Sequence, residues 1–334
     1  MKNRLVDFIL KSQERLALLL GVNAALQLTG KSVEAAATDP RVQFDAQIAW
    51  HERFHTPFLQ TSMDPTIEAE IFGAQVRYDE GELPTISERL IHNRSELSAL
   101  IDPKVGHKRT TVPLSAVQWF KEKYPGSTLI VLGSMTGPLT LACQLYGVQE
   151  TLALVSIDPG LLKELLEISN RFLQRYAWAF REIGADGIIL SEPAAGLIPP
   201  DSVVEYSSKY VRRIVDFIQN EMFAVVYHNC RANIDHLQPI LETGAAVYHF
   251  GTPMDLSAVL DTVGDEVIVS GNIDQVGVML NSDPETVAGQ TKILLEATAG
   301  RCNFVISASC QLFPGTPLAN IDAFYRSIAE YHER

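Results

Sequence analysis

A histidine and a cysteine two positions apart, together with one distant cysteine, are the residues of this chain best suited to hold a metal ion. His228 and Cys230 flank Asn229, and Cys310 follows 80 residues later. Two soft thiolates and one imidazole suit Zn²⁺, and three protein ligands leave a fourth position for water, substrate or a weaker ligand. Glu192 is our candidate for a weak fourth ligand. Taken alone, two buried thiols and a hydrogen-bonded core histidine would have the same sequence.

The surrounding sequence predicts a fold that can bring these residues together. From residue 128 onward, short apolar runs alternate with helix-period segments, which is the pattern of βαβ units in a parallel sheet. With two earlier runs the strands number eight, which indicates the α/β class and a closed (β/α)8 TIM barrel. The predicted strands are 15–22, 57–62, 128–133, 187–192, 223–228, 245–250, 267–272 and 303–309. The predicted helices include 42–55, 160–183, 201–220, 255–263 and 284–298.

In such a barrel, functional side chains lie where the strands end and the following loops begin. His228 and Cys230 leave the fifth predicted strand and Cys310 leaves the eighth. Closure of the barrel would return all three to one mouth, which favours a metal site over ordinary packing. Other strand ends supply candidate catalytic or orienting groups, namely Glu192, His249, Asn272 and Asp274. The expected substrate lining, mostly apolar, is Met63, Ser134, Met135, Phe250, Met254 and Phe313.

A second metal motif competes with this one. Residues 51–55 read His-Glu-Arg-Phe-His, the form of the zinc-protease signature, in which two histidines one helical turn apart bind the metal. However, Arg53 puts a charge where such helices are normally buried, and Thr56-Pro57 ends the helix at once. In the barrel this helix end would also lie on the face opposite the active-site loops. We therefore interpret the pattern as accidental.

Length and composition indicate one globular domain over residues 1–334, with an insertion at about 64–127 between the second and third strands. With 27 basic and 40 acidic residues the net charge is −13, which argues against nucleic acid and anionic membranes as partners. Four cysteines are too few for a disulfide scaffold and favour reduced thiols in the cytoplasm. The apolar run 16–28 has some features of a signal peptide, but acidic residues before it and polar residues within it oppose that reading.

Six segments together resemble the uroporphyrinogen decarboxylase superfamily, and within it the corrinoid-dependent methyltransferases. They are residues 62–74, 133–138, 192–195, 228–230, 270–274 and 310–320. The resemblance covers nearly the whole chain and implies a (β/α)8 barrel. It also implies that His228, Cys230 and Cys310 form the zinc motif of the methylcobalamin:coenzyme M methyltransferases. The implied cofactors are Zn²⁺ and a corrinoid (cobalamin), the latter carried by a separate corrinoid-binding partner protein.

The activity implied by this resemblance is transfer of a methyl group between a small molecule and the corrinoid cobalt, with zinc as a Lewis acid. We favour an aryl methyl ether as donor, as in O-demethylase systems, because the expected lining is apolar and aromatic. The sequences Cys230-Arg231 and Ser309-Cys310-Gln311 also lack the glycines usual in the thiol-methylating enzymes. The alternative is methyl transfer from the corrinoid to a thiol of the coenzyme M or homocysteine type.

Two further alternatives belong to other classes. A decarboxylase is disfavoured because the loop after the first strand lacks the arginines that hold porphyrinogen carboxylates in those enzymes, and because a chain at −13 would repel a polyanionic substrate. The other is a barrel that binds metal without catalysis. A structural zinc needs four protein ligands, whereas a catalytic zinc keeps one exchangeable position, so the ligand count separates the two.

Overall fold

The computed structural model describes residues 3–332. The strands in this range are β1 Phe58–Gln60, β2 Val76–Arg77, β3 Thr85–Ile86, β4 Ile130–Thr136, β5 Gly187–Ser191, β6 Ala224–Asn229, β7 Val247–Phe250, β8 Ile268–Ile273 and β9 Phe304–Ala308. The α-helices are α1 Arg4–Leu10, α2 Val22–Thr29, α3 Val33–Thr38, α4 Pro40–Phe54, α5 Ile67–Phe72, α6 Arg94–Ala99, α7 Thr111–Lys123, α8 Pro138–Tyr146, α9 Val148–Ile157, α10 Pro159–Glu182, α11 Pro200–Val203, α12 Lys209–Ile218, α13 Leu237–Leu241, α14 Leu256–Thr262, α15 Pro284–Ala297 and α16 Leu318–His332. Short 3₁₀-helices lie at Lys108–Thr110, Pro193–Leu197 and Ile234–His236, and π-helices at Val204–Ser208 and Gln275–Leu280.

One parallel sheet organises the molecule. Its strands follow the order β1-β4-β5-β6-β7-β8-β9, and β2 and β3 form a separate antiparallel pair. Sequential parallel strands with helices between them are the hallmark of βαβ units that curl into a barrel. The structure thus confirms the predicted α/β barrel fold and seven of the eight predicted strands.

An extended segment rather than a regular strand fills the eighth position. On one side of this segment, Ala17 makes an isolated parallel bridge with Ile306 of β9. On the other side, the Leu19 carbonyl accepts a hydrogen bond from the side-chain amide of Gln60 in β1. On the β1 side a side chain therefore replaces the backbone hydrogen bonds of a regular strand. The prediction of a strand at 15–22 is wrong, since the segment is extended but does not form one. The segment nevertheless occupies the expected place between β9 and β1.

Apolar side chains from all eight positions meet inside the barrel. Successive side chains of a strand point to opposite faces, so every second residue faces inward. The inward-facing residues form one buried cluster, which we call the inner cluster. Its members from the strands and from the extended segment at the eighth position are Leu18, Leu20, Phe58, Ile130, Leu132, Ile189, Ala224, Val226, Val247, Ile268 and Val305. The intervening residues face the helices and belong to a larger outer cluster.

Helix α1 closes the amino-terminal end of the barrel. Leu5, Val6 and Ile9 lie on its buried face and belong to the inner cluster. The Asn3 side chain caps the helix by accepting from two backbone N–H groups, and its amide donates to Phe223 O just before β6 at 3.2 Å. Arg4 pairs with Asp186, which precedes β5, at 2.5 Å. Helix α1 is thus attached beneath the strands, away from their carboxyl ends.

The residues between β1 and β4 form the longest excursion from the barrel. They hold α5, the β2–β3 pair and α6, and then α7, which packs on α4 and β4 as a barrel helix does. Arg109 connects the excursion to the end of β1. Its guanidinium contacts Asp64, donates to Thr66 Oγ1 at 2.7 Å and pairs with Glu70 at 2.5 Å. The excursion is therefore anchored at the carboxyl end of the strands.

The outer helices are amphipathic. In α10, the longest of them, buried residues such as Leu162, Leu165, Leu166 and Phe172 recur at helical spacing against the sheet. Asp158 caps its first turn by accepting from Leu161 N at 3.0 Å. Within residues 3–332, no helix combines the length and the apolar character that crossing a membrane requires.

Replacement of Leu5 by alanine tests the role of α1. Leu5 is 2% exposed in the inner cluster, and truncation of such a leucine costs about 2–5 kcal/mol. We expect Leu5→Ala to lower the free energy of unfolding by that amount in chemical denaturation. Lys11→Ala, at the exposed end of the same helix, removes a surface ion pair with Asp7 and should cost less than about 1 kcal/mol. Equal effects of the two substitutions would contradict the role of α1 in closing the barrel.

Candidate metal and active site

The layer above the inner cluster is polar. Thr136, Ser191, His228, His249 and Ser270 are paired one with the next across five neighbouring strands, β4 to β8. Each lies an even number of residues after an inner-cluster residue of the same strand, so each points into the barrel. We call these five residues the mouth layer.

His228, Cys230 and Cys310 lie together at this level. Their ligand atoms are all within 4.8 Å of one another. Cys310 Sγ lies 3.5 Å from His228 Nε2, and a tetrahedral Zn²⁺ with bonds of about 2.3 Å to sulfur and about 2.0 Å to nitrogen would separate two such ligands by about 3.5 Å. His228 is fully buried and both cysteines are half-buried. The donor set and the spacing therefore fit a zinc ion held by three protein ligands.

Two local features place Cys230. The Asn229 side chain accepts from the backbone N–H of Arg231 and Ala232, both at 2.9 Å, and turns the chain directly after β6. The loop after β7 approaches so closely that a Cβ on Gly251 would lie 2.4 Å from Cys230 O. Only glycine fits at that position without displacing the backbone. Sequence reasoning missed Asn229, although an asparagine at the end of a strand is a common turn signal.

The ligand residues perturb one another electrostatically. A hydrogen bond from Cys310 lowers the pKa of the Cys230 thiol to about 4, with burial opposing the shift. The same contact, together with burial, raises the pKa of Cys310 well above its usual value. The pair thus shares one negative charge, and binding a metal through both thiolates would release a proton.

His249 lies behind the ligands. Its Nδ1 is 2.9 Å from Nδ1 of His228 and its Nε2 is 2.9 Å from Ser307 Oγ. Burial, followed by the neighbouring His228, lowers the pKa of His249 well below its usual value, which keeps the ring neutral. The predicted catalytic residue His249 is therefore in contact with a ligand rather than with the open mouth.

Glu192 does not lie among the ligand atoms. It follows the inward-facing Ser191, so its side chain turns outward, where the carboxylate accepts from Leu139 N at 2.8 Å and Thr140 N at 2.9 Å. Ser207 Oγ donates a third bond at 3.0 Å. Burial raises the pKa of this carboxyl, and these hydrogen bonds oppose the shift. Our expectation of Glu192 as fourth ligand or catalytic group is thus corrected: the side chain caps helix α8.

Three residues of the predicted substrate lining face away from the mouth. Met135, Phe250 and Met254 are buried in the outer cluster, between sheet and helices. Phe250 immediately follows the inward His249, so the alternation of the strand directs its ring outward, where it stacks on Tyr248 with centroids 6.2 Å apart. These three predictions are wrong because strand ends alone do not show which face a side chain takes.

The other predicted lining residues differ among themselves. Ser134 faces inward, but its hydroxyl donates to Thr61 O at 2.9 Å and so holds β4 against the chain after β1. Met63 is half-buried beside the inner cluster. Phe313, in the segment after Cys310, is 39% exposed. Met63 and Phe313 stay candidates for contact with substrate.

Asn272 and Asp274 support the neighbouring loops. Asn272 Nδ2 donates to Gly251 O at 2.9 Å and to Met254 O at 2.8 Å, which fixes the loop that approaches Cys230. Asp274 accepts from Val276 N at 2.9 Å and caps the π-helix after β8. Both carboxyl-end positions were predicted as catalytic or orienting, and the structure gives each a structural partner instead of an open one.

The competing histidine pair lies at the other end of the barrel. His51 Nδ1 bonds to Thr56 O at 2.8 Å, and residue 56 leads into the amino end of β1. Within residues 3–332, His228, Cys230 and Cys310 are the one group of three or more His, Cys, Asp or Glu residues close enough to hold a metal ion.

We expect the purified protein to bind about one Zn²⁺ per chain in equilibrium dialysis with metal analysis. Cys310→Ala and His228→Ala should weaken binding by more than about 100-fold, because even changes behind the ligands cost about 10–100-fold. The matched controls are Cys143→Ala and Cys302→Ala, which remove the other two thiols, and His51→Ala, which removes the competing motif. Stoichiometric zinc in both ligand variants, or its loss from His51→Ala, would show that the site is wrong.

Comparisons with known proteins find similar methyltransferases by sequence and by structure. The chain is 28% identical over 276 residues to the methylcobamide:CoM methyltransferase MtbA of Methanosarcina acetivorans, covering 82% of this chain and 79% of that one. It is 23% identical to a methylated-thiol–coenzyme M methyltransferase of Methanosarcina mazei, covering 87% and 77%. A solved methyltransferase from M. mazei has the same fold, with a TM-score of 0.87, 21% identity and 98% of both chains covered.

These relatives confirm the expectation of an enzyme of the methyltransferase class. The sequence model described as uroporphyrinogen decarboxylase (URO-D) matches residues 19–331, nearly the entire chain. The chain belongs to the uroporphyrinogen decarboxylase family.

Proposed function

We propose that this protein transfers a methyl group from a methyl-corrinoid to the sulfur of a small thiol, with Zn²⁺ held by His228, Cys230 and Cys310. The observation that carries the proposal is the geometry of these three side chains, whose ligand atoms lie within 4.8 Å of one another at the barrel mouth. Three protein ligands leave an exchangeable position, the arrangement of catalytic rather than structural zinc. The methylcobamide and thiol substrates named for the two relatives point the same way.

The mouth layer favours a thiol over an aryl methyl ether. Besides the two histidines, the mouth layer presents the hydroxyl residues Thr136, Ser191 and Ser270 to the barrel axis. A benzene ring is held by apolar and aromatic surface, and the residues expected to supply it face the helices instead. Phe313 is the remaining aromatic candidate, and it is partly exposed to solvent. We therefore replace our earlier preference for O-demethylation with the thiol acceptor.

The ligand residues and the other barrel residues have different roles in the proposed reaction. When bound, zinc supplies a Lewis-acid position at which a thiol loses its proton more readily. Cys230 and Cys310 provide the two negative charges that balance the ion, and His228 provides a neutral donor. In the transfer, the acceptor sulfur would give up its proton to water and form a bond to the methyl carbon as the Co–C bond breaks. The electron pair of the broken Co–C bond would stay on cobalt, which becomes Co(I). The barrel residues orient the acceptor and keep its sulfur facing the mouth.

The methyl-corrinoid would be presented at this mouth by a partner protein. The opposite end of the barrel is closed by α1, whose Leu5, Val6 and Ile9 pack in the inner cluster. The mouth is the end at which both half-buried cysteines lie. A docked corrinoid would therefore approach from the carboxyl ends of the strands, as substrates do in barrels of this class.

An assay with both methyl donors tests the proposal. The zinc-loaded protein should consume methyl-Co(III) of a methylated corrinoid on addition of 2-mercaptoethanesulfonate or homocysteine, followed by the visible absorption of the corrinoid. It should not form methyl-Co(III) from Co(I) and methoxybenzene. The Cys310→Ala variant serves as the control, since its loss of a ligand should abolish transfer. Demethylation of the ether without any reaction of the thiols would overturn the proposal.

Arg231 predicts a preference among thiols. It follows Cys230, is exposed, and its positive charge acts on both ligand thiols. An acceptor with an anionic tail would gain from this charge, so Arg231→Gly should raise KM for 2-mercaptoethanesulfonate by about fivefold, the equivalent of ~1 kcal/mol for an exposed ion pair. KM for the neutral 2-mercaptoethanol should change less than about twofold, and Arg231→Lys should keep the preference. An equal change for both thiols would contradict this role.

A further inference from the structure

A chain of three hydrogen bonds connects the metal-facing histidine to the segment that closes the barrel. His228 Nδ1 lies 2.9 Å from His249 Nδ1, His249 Nε2 lies 2.9 Å from Ser307 Oγ, and Ser307 Oγ lies 2.6 Å from Leu18 O. The three side chains are fully buried. We call this arrangement the relay.

The chemistry of the end group fixes the direction of every bond. The Leu18 carbonyl can only accept, so the Ser307 hydroxyl uses its one hydrogen on that bond. Ser307 Oγ must then accept from Nε2–H of His249. The His249 ring is fully buried and its side-chain partners, His228 and Ser307, carry no negative charge, so the ring is neutral and its single hydrogen is on Nε2. The bare Nδ1 of His249 in turn accepts from Nδ1–H of His228. The remaining nitrogen of His228, Nε2, keeps its lone pair.

That lone pair is the one that faces the cysteines. His228 Nε2 lies 3.5 Å from Cys310 Sγ, on the side of the ligand cluster. With the opposite tautomer, an N–H would point into the cluster, and the ring would have to lose it before a metal could bind. The relay therefore presents the correct atom in advance.

We propose that Ser307 and His249 are positioning residues that set the tautomer and the ring orientation of His228 for metal binding. A histidine ligand whose second nitrogen is fixed in this way binds more tightly because its orientation is determined beforehand. The relay ends at the carbonyl of Leu18, on the extended segment between β9 and β1. Metal affinity therefore depends on this segment being in place, because its carbonyl orients Ser307. The proposal rests on the three-ligand site of the proposed function and is independent of the methyl donor and acceptor.

The tautomer can be read directly in the metal-free protein. With ¹⁵N-histidine labelling, long-range ¹H–¹⁵N correlation spectra distinguish a protonated from a bare Nδ1. We expect wild-type His228 to carry its hydrogen on Nδ1, and Ser307→Ala to lose this single state. Ser307→Thr keeps a hydroxyl at the same atom and should restore it. A wild-type His228 protonated on Nε2, or an unchanged Nδ1–H tautomer in Ser307→Ala, would overturn the relay.

Zinc affinity from chelator competition gives a second readout. Ser307→Ala should weaken binding by about 10–100-fold, the usual cost of removing a group behind a ligand. The matched control is Ser270→Ala, because Ser270 is equally buried in the mouth layer and its hydroxyl has no hydrogen-bond partner within residues 3–332. Its affinity should stay within about twofold of wild type. Equal losses in Ser307→Ala and Ser270→Ala would contradict a specific role.

A second variant covers the case in which Ser307→Ala does not fold. His249→Phe keeps a ring of similar size at the same place and removes both of its hydrogen bonds, so it should also lose the Nδ1–H state of His228 and weaken zinc binding. If wild type binds zinc at the three ligands but transfers no methyl to a thiol, the proposed function fails while the relay stands. If both variants keep the wild-type tautomer and affinity, the relay fails while the function stands.

Discussion

The alternation of side chains along closed parallel strands is the constraint on which the site depends. Val226, Val247 and Ile268 fill the inner cluster, and two residues further along their strands His228, His249 and Ser270 enter the mouth layer. The apolar side chains of the inner cluster hold the strands at a fixed spacing. The side chains of the mouth layer belong to the same strands and are therefore held at the same spacing. A slip of one residue in any strand would turn its polar group into the helix layer.

Much of the site could be predicted from the sequence because its main signals are local. The strands between residues 128 and 309 are continuous apolar runs, and the His-x-Cys spacing with a distant cysteine has few other uses at strand ends. The wrong predictions share one cause. Phe250 and Met135 do lie at strand ends, but which face they take follows from counting residues against the inner cluster. That count was available in the sequence once the interior residues had been identified.

Other features depend on contacts between distant segments. The side chain of Glu192 reaches α8, more than fifty residues earlier in the chain, and nothing near residue 192 indicates that partner. At the irregular eighth position, the side chain of Gln60 donates to Leu19 O, a partner that the sequence near residue 19 does not indicate. Ser307 left a weak signal, being a polar residue at an inward position of an otherwise apolar strand. Such a residue is expected to have a partner when it is buried.

The charge of the candidate ligands and the polar character of the mouth both favour an acceptor that arrives as a thiol. Two thiolates and one imidazole would balance a divalent ion, and Arg231 is the cation beside them. Zinc K-edge X-ray absorption of the loaded protein, recorded with and without 2-mercaptoethanesulfonate, tests the central claim most directly. The account predicts two sulfur neighbours without the thiol and a third when it is added. A count of two sulfur neighbours that stays unchanged on addition of the thiol would contradict it.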